Sequence, residues 1–148
     1  IEVEEAGSFA EAGNRGFGPL VRYISGSNAA RQNIAMTAPV VQTPLGGQRY
    51  TVAFVLPEGM DAASLPIPSD ARVHPRSVPA RTVAARRFSG LANTAHFEGA
   101  ARELLASVAL AGFAVEGEPY FARYDPPWRP AFLRRNEALV VVTGAQSG

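Results

Sequence analysis

The chain contains no cysteine and no lysine, only two histidines, two methionines and one tryptophan, and its net charge is +1. Without cysteine there is no disulfide framework, Cys-ligated zinc, iron-sulfur cluster or thiolate nucleophile. All basic residues are arginine, which suits forked contacts to carboxylates but also follows from codon bias in a source genome. Fourteen basic residues balance thirteen acidic ones along the chain, so no broad field draws it to nucleic acid or an anionic membrane. The basic pairs Arg86-Arg87 and Arg134-Arg135 fall short of a nucleic-acid stripe, and in a strand each pair turns only one arginine toward a given ligand.

Long apolar runs are missing as well: none nears the roughly twenty residues that cross a bilayer, so no membrane span is expected. The acidic opening Ile1-Glu2-Val3-Glu4-Glu5 is unlike a signal peptide, which favours the cytoplasm. Ile1 in place of an initiator methionine leaves a removed leader open. No G-x-S-x-G elbow, P-loop, dinucleotide fingerprint or H-E-x-x-H occurs, so acyl hydrolysis, phosphoryl transfer and a histidine-rich metal centre lack a signature. Glu103, Glu116, Glu118 and Asp125 read as solvated surface before they read as a catalytic pair.

What is present fits one domain: 148 residues, 47% of them hydrophobic, are enough to bury a core. Ser8 with Glu11 three residues on forms a capping box and predicts a helix from Phe9. Phe9, Ala12, Gly13, Gly16, Phe17, Leu20 and Ile24 recur at helical spacing. Pro19 should kink or restart that helix, because its ring meets the carbonyl of Arg15, and Gly26 should stop it. A second helix is signalled by Asn93 or Thr94 as cap, the stripe Ala101, Leu104, Leu105 and Val108, and Gly112 beyond its end. Tyr50 to Leu56, Arg81 to Phe88 and Ala138 to Thr143 read as strands. Prolines 57, 66, 68, 75 and 79 make residues 58–79 a loop, with one short strand near Arg72 to His74. Each helix follows a candidate strand, which hints at two similar halves. Residues 125–130 form a loop stiffened by three prolines that presents Trp128 and Arg129.

Several blocks carry more. Asn33-Ile34-Ala35-Met36-Thr37-Ala38-Pro39-Val40, the earlier Ala12-Gly13-Asn14-Arg15-Gly16-Phe17 and Tyr23-Ile24-Ser25-Gly26-Ser27-Asn28, and the later Tyr124-Asp125-Pro126-Pro127 and Arg134-Arg135-Asn136-Glu137 stand in the order of the SOUL family of haem-binding proteins. The chain resembles that family over nearly its whole length. The resemblance implies an α+β fold: a distorted antiparallel β-barrel flanked by two helices, built from pseudo-twofold halves, like the gyrase-inhibitor-like effector-binding domains. It implies a small-molecule tetrapyrrole partner, haem held non-covalently, and leaves protein partners open. By matching blocks, Phe17 and Val21 would contact the macrocycle, and Arg22 and Arg129 its propionates. Burial of the flat ring would supply affinity, and the guanidinium forks orientation. In some vertebrate members the proposed iron ligand is a histidine in a strand preceding the position of Ile1, so the axial ligand here stays open. His74, His96 and Met36 carry suitable donor atoms, as do Met60 and Tyr23, beside ordinary readings as surface histidines, core methionines or a packed tyrosine. Three functions follow: a non-enzymatic haem or porphyrin binder for buffering or transport, an effector-binding module for another small amphipathic molecule, or a hydrolase of small cyclic or acyl compounds.

Overall fold

The first helix shows how the chain folds locally. In the computed structural model, which describes residues 1–90, 93–125 and 129–145, α1 (Phe9–Ile24) starts at the capping box: Ser8 Oγ accepts from the Glu11 N–H and Glu11 returns a bond to the Ser8 N–H. Pro19 does not restart α1; one helix runs through it. Proline removes one helical hydrogen bond, but Pro19 is buried on the same stripe as Gly16, Leu20 and Tyr23, and packing offsets the loss. The stripe lies on β1 (Glu2–Ala6) and β3 (Arg49–Phe54), which pair antiparallel with each other, and β3 pairs in turn with β2 (Val40–Pro44). Gly16 sets the depth of this contact, since a Cβ there would stand 2.7 Å from Val52 Cγ2.

The chain divides into two compact units, Ile1–Val78 and Pro79–Gly148. The second has β4 (Val83–Phe88), α2 (Thr94–Leu110), β5 (Phe113–Arg123) and β6 (Asn136–Ala145), with β6 between β5 and β4, all antiparallel. Each unit therefore reads strand, helix, strand, strand, and in each the last strand pairs with both others. Asn93 caps α2, its side chain accepting from the His96 N–H at 2.8 Å, and Gly112 beyond the end takes φ 82°, as a C-terminal glycine should. Phe121 is fully buried, with Phe97 and Phe88 at 5.6 and 5.8 Å between ring centroids.

Two further expectations change. The strand order does not close on itself, so in place of a closed barrel there is an open antiparallel sheet. Strand β4, paired with β6 alone among the described ladders, carries Arg86 and Arg87, charges of the kind that blunt an open edge. The 58–79 segment holds no strand near Arg72; His74 makes a single bridge to Glu2. Strand β5, which the sequence reading did not single out, runs through Gly117 and Pro119, because a register shift between Glu116 and Tyr120 absorbs Gly117 at φ 71°; a β-bulge of this kind keeps the strand while breaking its alternation. No helix among the described residues is long and apolar enough to cross a membrane.

Candidate functional site

Helical residues advance about 100° each, and this decides how α1 presents the expected ligand contacts. Phe17 and Val21 border the buried stripe on one margin, and Arg22 borders it on the other beside Pro19. Phe17 is 39% exposed, and its ring stands edge-on to Phe54 at 5.3 Å between centroids. Val21 is partly buried against the core cluster of Leu20, Tyr23, Ile24 and Phe54. The helix thus offers an aromatic shelf backed by packed side chains, with the arginine across its exposed face.

Arg22 faces a cleft of about 440 Å³ lined also by Pro19, Tyr23, Ser27, Ser69 and Asp70. The end of α1, the turn after it and the 68–73 segment form its walls. Tyr23 donates to the Pro66 carbonyl at 2.8 Å, and the Ser69 N–H donates to the Ser27 carbonyl at 3.1 Å. Asn28, almost fully buried, donates to the carbonyls of Tyr23 and Gln32 at 3.0 and 2.9 Å and accepts from the Gln32 N–H at 3.0 Å. Burial raises the Tyr23 phenol above its ordinary range, so it stays a donor at neutral pH. Across the cleft Asp70 is held down to about 2, first by the Arg72 side chain and its N–H, with Arg22 a smaller contributor.

Arg129 belongs to the second unit. Its Nη1 donates to Asp125 Oδ1 at 2.9 Å, and its carbonyl accepts from Arg134 Nε at 2.8 Å. Trp128 lies outside the described residues. Close by, the family-like run Arg135-Asn136-Glu137 forms a network not expected from sequence. Arg135 forks onto Glu137 Oε1 at 2.7 and 3.2 Å, Tyr124 donates to Glu137 Oε2 at 3.2 Å, and the Arg135 guanidinium stacks 4.3 Å from the centre of the Tyr124 ring. Burial and the neighbouring Glu137 carboxylate raise the Tyr124 phenol. Asn136 Nδ2 donates to the Gly90 carbonyl at 3.2 Å. Only the alternation of a polar run into an apolar strand could have signalled this burial.

The donor atoms considered for iron are dispersed. His74 Nε2 sits 3.4 Å from Glu2 Oε1 and its Nδ1 is 3.2 Å from the Arg72 carbonyl. His96 lies in the first turn of α2. Met36 is half exposed, and Met60 packs at the core margin. Among the described residues no group of three or more His, Asp or Glu side chains is placed to hold a metal ion. Arg86 bonds Glu103 at 2.6 Å, and both Arg86 and Arg87 are exposed.

In sequence the chain is 28% identical to "Heme-binding protein 1" of Xenopus tropicalis over 95% of its own length and 77% of the relative's. It is 32% identical to the protein of that name from Sus scrofa, over 82% of this chain and 67% of the other. Among solved structures, the EcmrR C-terminal domain superposes with a TM-score of 0.72 at 10% identity, covering 97% of this chain and 90% of that one; the likeness is one of fold. The family described as "SOUL heme-binding protein" matches residues 1–141, and the chain belongs to that family.

Proposed function

We propose that this protein is a non-catalytic, reversible binder of haem or a related tetrapyrrole, acting in haem buffering or transport. The macrocycle would lie on the exposed flank of α1 against Phe17 and Val21. Arg22 would meet a propionate, and Arg129 is the second cation that the family resemblance assigns to the carboxylates. The observation that carries this reading is the exposed Phe17 ring, held against Phe54, in a member of a haem-binding family. An aromatic on a rigid element offers a flat ligand apolar area without ordering a loop. The matching strand-helix-strand-strand order of the two units supports treating residues 1–148 as one domain of pseudo-twofold halves. The donor set does not single out an axial iron ligand, so the reading rests on the ring and the carboxylates.

Asp70, held as an anion by Arg72, is not the raised carboxyl that a general acid needs. The reading as an effector module for another small amphipathic molecule is favoured by the polar cleft beside Arg22. The experiment is a titration with ferric haem followed at the Soret band. One-to-one saturation is expected, weakened roughly tenfold or more by Arg22→Glu and by Arg129→Glu, the scale of a charge-assisted bond. Non-saturating binding indifferent to both reversals would remove haem as the ligand.

A further inference from the structure

The cleft on α1 carries two opposite charges that do not meet. Arg22 stands on the helix wall and Asp70 on the loop wall, and among the described residues Arg22 makes no direct ion pair. Asp70 is instead occupied by Arg72, whose Nε reaches Oδ1 at 3.1 Å, whose Nη2 reaches Oδ2 at 2.8 Å, and whose N–H reaches Oδ1 at 3.0 Å. Oδ1 thus takes two bonds and Oδ2 one, which leaves Oδ2 room for another donor.

The guanidinium of Arg22 lies back along the helix over Gly18. A Cβ at Gly18 would stand 3.3 Å from Nη1, in line with the N-terminal lean of helical side chains. The walls are fixed by the Tyr23 to Pro66 and Ser69 to Ser27 bonds, and 440 Å³ falls in the range of small-molecule sites, roughly 300 to 1,000 Å³.

We propose that this cleft binds a small zwitterion of the amino-acid or dipeptide type, its carboxylate on Arg22 and its ammonium on Asp70. A simple anion on Arg22 would face the permanently charged Asp70 and be repelled; an added ammonium turns that repulsion into a second contact. A porphyrin has no cationic group for Asp70, so the site is separate from the macrocycle shelf although Arg22 borders both.

The test is a nuclear magnetic resonance titration of the ¹⁵N-labelled full chain, free of haem, with glycylglycine, acetate and inorganic phosphate at equal ionic strength. Glycylglycine should give saturable shifts at the amides of Arg22, Ser27, Ser69 and Asp70 and bind about two- to fivefold more tightly than acetate, the scale of one exposed ion pair. Arg22→Gln should abolish binding, and Asp70→Asn, which keeps an acceptor for the Arg72 N–H, should erase the preference over acetate. Arg22 is exposed and Asp70 only partly buried, so both variants should fold. Shifts that fail to saturate, lie elsewhere, survive Arg22→Gln, or show acetate equal to glycylglycine in the unaltered protein would overturn the assignment. Because no haem is present, this titration can fail while the haem titration succeeds, and the reverse.

Discussion

The hydroxyl of Tyr23, in the last turn of α1, donates to the carbonyl of Pro66 at 2.8 Å, and so ties the helix end to the loop that walls the cleft. Tyr23→Phe keeps the buried ring and removes only this bond. It should lower unfolding free energy by about 1 kcal/mol, measured by urea denaturation. An unchanged midpoint would mean that water replaces the phenol at no cost.

The same phenol sets the alkaline limit of stability together with Tyr124, since both are raised in the folded protein. A raised group stabilises the fold below its unfolded value, near pH 10, and that contribution is lost as pH rises through the folded value, because the unfolded chain ionises first. Denaturation midpoints should hold up to about pH 10 and fall above it. Tyr23→Phe should make the fall shallower, and a curve identical to the parent's would show that this phenol takes no part.

Asp70 governs the acid side. Its carboxyl sits at about 2 against 3.8 for the free group, so its contribution is complete above pH 3.8 and fades as pH falls through 2. Asp70→Asn should lower the midpoint near pH 7 and leave it little changed in strong acid, so that the acid limb flattens over that interval. Retention of the full acid limb would place it on the other carboxylates.

Gly16 is where the helix and sheet of the first unit come closest. A methyl there would meet both Cβ and Cγ2 of Val52 under 3 Å, and valine has no rotamer freedom to yield. Gly16→Ala should therefore destabilise by about 1 to 3 kcal/mol despite alanine's better helix propensity. Val52→Ala added to it should recover part of the loss, which a double-mutant cycle would detect.

Phe17 separates ligand binding from stability. Replacing it with alanine forfeits an exposed edge-to-face pair worth about 0.5 to 1.5 kcal/mol, which the thermal midpoint would register as a small shift. Haem affinity should drop at least as steeply as with Arg22→Glu. A variant that binds haem normally would move the macrocycle off this shelf.

Much of this was legible in the chain. The capping residues Ser8, Glu11 and Asn93 and the glycines after each helix announce themselves locally, because they solve the same problem of orphaned backbone groups wherever a helix begins or ends. Strand β5 was hidden, since Gly117 and Pro119 imitate a turn and only pairing with β6 overrides them. The placement of Arg22 opposite Phe17 follows from helical rotation alone. The role of Asp70 does not: a carboxylate and an arginine two apart in a proline-rich loop have no periodicity to betray them, and only the fold brings that local pair beside α1. The buried Glu137 was invisible for a similar reason, being a charge made tolerable by Arg135 and Tyr124, which reach it from either side.

Helix α1 carries Gly13, Gly16, Gly18 and Pro19 within one short stretch. Each glycine disfavours a helix by about 1 kcal/mol and the proline by about 3, more than a capping box returns. Excised as a peptide, residues 9–24 should show almost no helical circular dichroism in water. The segment that presents Phe17 and Arg22 is helical only while β1 and β3 hold it, so damage to that small sheet, however far from any ligand atom, should silence binding as completely as removal of the arginine itself.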